Sequence, residues 1–242
     1  MKIALCQIKP ESGDITFNIS KHIEFIHKAI YANADLICFP ELSLTGYEPG
    51  LAKELSMGKD DPLFEKFKQI SIKNNCTIVL GIPTPSANLP KISLLIFSPN
   101  NSIDQYHKQW LHKDEIPYFS SGDQQVFIQS DETKVALAIC YESLQPQHLE
   151  NVIMDKANLY LASVAKSQTG VNKAYQYFSK MAKHYKIPIL MVNSVGPCDN
   201  FISFGSSGVW NTQGKLLNHL DNNEEGILIY DTATENTQIL TV

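Results

Sequence analysis

The chain has 242 residues, 43% hydrophobic, 10% aromatic and 19% charged, which is too apolar for a disordered chain and long enough to bury a core without disulfide or metal staples. A net charge of −5, with 20 scattered basic residues, excludes a nucleic-acid footprint, and no apolar run reaches the length of a membrane helix. Polar Gln7 and Lys9 arrive too early for a signal-peptide core, which points to a cytoplasmic protein.

In chain order, residues 2–7 read as a strand and 18–33 as a helix, with Ile19, Ile23, Ile26 and Ile30 along one face. His22 and His27 on that helix read most simply as surface residues. Residues 36–39 form a short apolar strand. Asp61-Pro62 opens another helix, with Pro in a tolerated first-turn position and Leu63, Phe64, Phe67 and Ile70 on one side. Residues 77–81 and 92–97 read as strands, and Pro99-Asn100-Asn101-Ser102 turns the chain into a strand at 103–107.

The second half repeats the scheme: strand 135–140, helix 147–156, strand 159–163, helix 172–185 buried through Tyr175, Phe178, Ala182 and Tyr185, and strand 187–193. A hairpin follows at 208–217, turning at 211–214, and 226–230 is the last strand. Nothing between the halves looks like a linker, so one α/β domain over 1–242 is the economical organisation. Cys6 and Cys38 lie inside apolar runs and Cys76 borders one, as small buried hydrophobes do. The spacing of cysteines and histidines offers no metal motif.

Three strand ends stand out, because α/β folds place reactive groups in the loops that follow strands. The first is Phe39-Pro40-Glu41-Leu42, the second Tyr106-His107-Lys108, the third Ile139-Cys140-Tyr141-Glu142. Each alone also fits a structural role: a solvated or capping glutamate, a lysine stem packed on a ring, a buried thiol. Together, in the order Glu, Lys, Cys, they resemble the nitrilase or carbon–nitrogen hydrolase superfamily. The resemblance extends to Leu44-Thr45-Gly46-Tyr47, to a second glutamate in Asp114-Glu115-Ile116-Pro117, and to the segment Phe204-Gly205-Ser206-Ser207-Gly208. His107 and Trp110 depart from the usual lysine motif, which commonly carries arginine and histidine there. Val164-Ala165-Lys166-Ser167 replaces the aromatic or Asn-Pro stretch of many relatives.

The resemblance implies a four-layer α-β-β-α sandwich. It also implies a cofactor-free, metal-free hydrolase of a small-molecule amide or carbamoyl C–N bond that works through a thioester, assembled as a homodimer or larger homo-oligomer, with no nucleic-acid or membrane partner. Cys140 is then the nucleophile, Glu41 the proton carrier, Lys108 the fixed positive charge and Glu115 a positioning group. The backbone N–H of Tyr141 would be a second oxyanion donor. Tyr47, Tyr141, Glu142 and Lys166 are candidates for contact with the substrate, although Tyr47 also fits a packed loop residue, Glu142 a cap of the bend, and Lys166, like Lys173, a solvated charge. The alternatives are an N-carbamoyl amide hydrolase, a glutaminase that hands ammonia to a partner, and a catalytically idle binding module.

Overall fold

The computed structural model describes residues 1–130 and 132–242. In chain order the strands and α-helices are β1 (Lys2–Gln7), α1 (Ile15–Tyr31), β2 (Leu36–Cys38), α2 (Glu65–Asn74), β3 (Thr77–Thr84), β4 (Lys91–Phe97) and β5 (Ile103–His107). Then come β6 (Phe127–Ser130), β7 (Thr133–Ile139), α3 (Pro146–Met154), β8 (Leu159–Val164), α4 (Gln168–Tyr185) and β9 (Ile189–Asn193). The chain closes with β10 (Val195–Cys198), β11 (Phe201–Phe204), β12 (Gly208–Trp210), β13 (Leu216–His219), β14 (Gly226–Asp231) and β15 (Thr237–Thr241).

Two large sheets form, in the orders β15-β14-β1-β2-β3-β4-β5 and β13-β12-β9-β8-β7-β6, with β10 and β11 as a separate ribbon. The centre of each is parallel, β1-β2-β3 in one and β7-β8-β9 in the other. Those central strands are apolar throughout because both faces are covered, and the two-residue period sorts their side chains. Ile3 and Leu5 of β1 join Val135, Leu137 and Ile139 of β7 in a core between the sheets. Ala4 and Cys6 face Phe25 and Ile26 of α1, while Ala136 and Ala138 lie in the cluster that holds Leu149 of α3 and Phe178 of α4. The layers are therefore helix, sheet, sheet, helix, as the family resemblance implies.

The sequence-based boundaries need several corrections. Helix α1 starts three residues earlier than expected, where the Asp14 side chain accepts from the N–H of Phe17. Helix α4 starts four residues earlier, through the Thr169-Gly170 pair whose low propensity hid it. Strands β6, β10, β11 and β15 add to the elements the sequence predicts; they are short or half-exposed, so their patterns are weak. Among the described residues no helix is long and apolar enough to cross a membrane.

Candidate active site

The end of β2 delivers Glu41. Phe39 and Pro40 carry the chain out of the sheet, and Leu42 takes a left-handed φ of 51°. The loop lies so close over β3 that a Cβ on Gly81 would collide with the Pro40 carbonyl oxygen, which explains a glycine inside an apolar strand. Below it, His22 Nδ1 donates to the Asn18 carbonyl at 2.6 Å, which leaves Nε2 to accept from Ser43 Oγ at 2.9 Å. His22 is fully buried against Phe39, which corrects its surface reading; His27 is exposed as expected. The clue was present, since His22 falls between Ile19 and Ile26 on the apolar face of α1. From the second sheet, Ser163 Oγ donates to the Phe39 carbonyl at 2.8 Å.

The end of β5 delivers Lys108, which is completely buried. Its ammonium donates to Glu41 Oε1 at 2.7 Å and to Glu115 Oε1 at 2.7 Å. Glu115 also accepts from the Tyr47 hydroxyl at 2.8 Å and, through Oε2, from the His112 N–H at 2.7 Å. Burial alone pulls the Lys108 ammonium down, but Glu41 and Glu115 more than reverse this and hold it above the ordinary lysine value. Burial pushes Glu41 above the usual carboxylate range, Lys108 opposes, and Glu115 adds to the rise. Glu41 Oε2 is buried without a hydrogen-bond partner among the described residues.

The end of β7 delivers Cys140. The strand stops at Ile139, and Cys140 takes a left-handed φ of 46° as it opens a short 3₁₀ turn, Cys140–Leu144. A non-glycine residue held there is strained, and such strain concentrates at functional sites. Cys6, Cys38, Cys76 and Cys198 are buried, whereas Cys140 is half-buried with its Sγ 3.5 Å from the Ala165 carbonyl oxygen. Burial and the Glu41 carboxylate push its thiol up to about 11, against the pull of Lys166 and Lys108.

A cleft of about 650 Å³ opens over these groups, lined by Tyr47, Glu115, Cys140, Tyr141, Lys166 and Phe201 among others. Tyr47 and Tyr141 thus reach the cleft. Glu142, a candidate for substrate contact, is not among the residues that line the cleft. It is fully buried and accepts from Tyr106 Oη at 2.6 Å, Ile139 N at 2.7 Å, Gln109 N at 2.7 Å and Trp110 N at 3.2 Å. It ties the cysteine strand end to the lysine segment. Lys166 corrects the opposite expectation, being only 6% exposed; Lys173 is exposed. Trp110 packs edge-on against His148, and His107 bonds Ser93, so neither departure from the lysine motif lines the cleft.

The model of the family described as carbon-nitrogen hydrolase matches residues 2–239. A probable nitrilase of Schizosaccharomyces pombe is 24% identical over 98% of this chain and 90% of its own length. The glutamine-dependent NAD(+) synthetase of Thermotoga maritima is 26% identical over 96% of this chain, which spans only 42% of that protein. Among solved structures, an amidase from Nesterenkonia sp. AN1 superposes with a TM-score of 0.85 at 23% identity, over 96% of this chain and 92% of the amidase.

Proposed function

The chain belongs to the carbon–nitrogen hydrolase family, and from that premise we propose that it hydrolyses a small linear amide through a thioester on Cys140. The observation that carries this reading is the Lys108 ammonium held 2.7 Å from both Glu41 and Glu115, beneath a cleft that Cys140 lines.

With its thiol pushed up to about 11, Cys140 is protonated at rest near neutral pH, so attack needs a base rather than a standing thiolate. Glu41 Oε2, buried and with no hydrogen-bond partner among the described residues, accepts that proton as the sulfur bonds the carbonyl carbon. An ammonium has three N–H donors; two of those on Lys108 serve the carboxylates, and the third is left for the oxyanion. The first N–H groups of a helical turn have no intrahelical partner, so the Tyr141 N–H supplies the second donor. Glu41 returns its proton to the leaving nitrogen, and ammonia or amine departs. It then takes a proton from water, which attacks the thioester and releases the acid and the thiol.

The Nesterenkonia amidase has been captured with butyramide, which favours alkyl amides. The likeness to a glutamine-dependent synthetase across 96% of this chain favours a second reading, a glutaminase that supplies ammonia to a partner. A screen of ω-amides, carbamoyl amines, nitriles and glutamine, scored by ammonia release and by the mass of an acylated protein, separates these. The amide reading expects a Cys140-bound acyl group from amides. No adduct and no ammonia from any amide would overturn it; glutamine turnover that appears only with an ATP-dependent synthetase present would favour the second reading.

A further inference from the structure

One cation in the cleft has no carboxylate partner among the described residues. Lys166 follows β8 and its backbone is clamped: its N–H donates to Asn193 Oδ1 at 2.9 Å, while its carbonyl accepts from Asn193 Nδ2 at 3.1 Å and Phe204 N at 2.8 Å. The stem is confined by the first turn of α4, where a Cβ on Gly170 would lie 3.2 Å from Lys166 Cβ. The ammonium therefore arrives in the cleft wall with its residue 6% exposed, 3.3 Å from the Cys140 carbonyl oxygen and 3.7 Å from Sγ. Glu41 and Glu115 are committed to Lys108, Asp114 lies 3.3 Å from His112, and Asp199 on the rim is exposed. A buried charge is costly unless something pairs with it. All 20 basic residues of the chain are lysines, so an anion bound here meets an ammonium and not a guanidinium.

We propose that Lys166 binds a carboxylate on the acyl half of the substrate, which makes the substrates monoamides of short dicarboxylic acids. This rests on Cys140 being the residue that is acylated. The leaving nitrogen must turn toward Glu41 to receive its proton, and the acyl chain is left the wall formed by the end of β8 and the start of α4. Since Nζ is 3.7 Å from Sγ, a carboxylate held at about 2.8 Å falls within roughly three carbons of the carbon under attack. A longer or neutral acyl chain leaves the ammonium unpaired.

Alkylation of Cys140 tests this without a known substrate. Iodoacetate and iodoacetamide react alike: the sulfur bonds the methylene carbon, the C–I bond breaks, iodide leaves with the electron pair, and Glu41 takes the thiol proton. They differ in one group, a carboxylate or an amide, one carbon from the new bond. In the wild-type protein the ratio of iodoacetate to iodoacetamide rates at Cys140 should exceed that of glutathione by about tenfold, the scale of one charge-assisted hydrogen bond. Lys166→Met should return the ratio to the glutathione value, and Lys166→Arg should keep it raised. Succinamate should likewise exceed butyramide in kcat/KM by about tenfold.

A wild-type ratio no higher than that of glutathione overturns the proposal, even if the Met variant does not fold. So does equal acceleration of both reagents by Lys166, which would mean that it only activates the sulfur. If neither reagent labels Cys140 ahead of the other four thiols, the nucleophile assignment fails as well; labelling of Cys140 with an ordinary ratio sinks the carboxylate site alone.

Discussion

Cys140 is held in a backbone conformation that costs about 1–3 kcal/mol for a side chain with a Cβ, at φ 46°. It is pinned by the Ile139 N–H donating to Glu142 on one side and Ser143 Oγ donating to the Cys140 carbonyl on the other. Cys140→Ala should lower ammonia release by at least about 10³-fold with the far-UV spectrum unchanged. Near-wild-type turnover would refute the nucleophile. Activity should have an acid limb from Glu41, which must be a carboxylate to accept the thiol proton. Glu115 raises that group, so Glu115→Gln should move the acid limb to lower pH while turnover falls about 10²-fold. A limb that moves upward, or does not move, would mean that Glu115 acts on Glu41 in some other way.

Among the elements, the loop after β2 depends on packing supplied by its neighbours. Gly81→Ala would drive a Cβ toward the Pro40 carbonyl. We expect a stability loss of about 1–3 kcal/mol and a fall in turnover near 10²-fold, since small misplacements of a reacting group are amplified. Full activity in that variant would show that Glu41 does not depend on the loop position. His22 beneath the same loop gives a pH test. Burial lowers it from 6.5 to about 4, so its stability contribution is present above pH 6.5 and lost as pH falls toward 4. The amount is on the order of 3 kcal/mol. His148 is lowered in the same way, to about 4. Glu142 runs in reverse: burial raises it from 4.5 to about 7, so its contribution is lost as pH rises through that window. Urea unfolding at successive pH values should find His22→Gln losing less stability than wild type between pH 6.5 and 4; an identical slope would remove His22 from the account.

At the scale of the molecule, two sheets pressed face to face bring strand ends that are far apart in the chain to one place. Leu137 of β7 is wholly buried between them, and Leu137→Ala should cost about 2–5 kcal/mol in denaturant unfolding. A loss below 1 kcal/mol would mean that this layer is loosely packed. The hydrogen bond from Ser163 to the Phe39 carbonyl joins the Cys140 sheet to the Glu41 loop, so rigid packing between the sheets also sets the distance between Glu41 and Cys140.

Sequence patterns alone were enough for the central strands, because strands buried on both faces must be apolar throughout. The strand ends at Glu41, Lys108 and Cys140 stood out only as an ordered set, since each residue alone also fits a structural role and the strand before Lys108 is half-exposed and polar. Sequence patterns did not reveal the edge strands β6 and β15, where half-exposed residues blur the two-residue period. The environments of Glu142 and Lys166 were also out of reach: a polar side chain looks the same in one dimension whether solvent or another strand faces it. Packing of the sheets decided that His22 and Glu142 brace the site from behind and that Lys166 opens into it. Burial and partnership are properties of contacts between distant residues, and these exist only once the chain has folded.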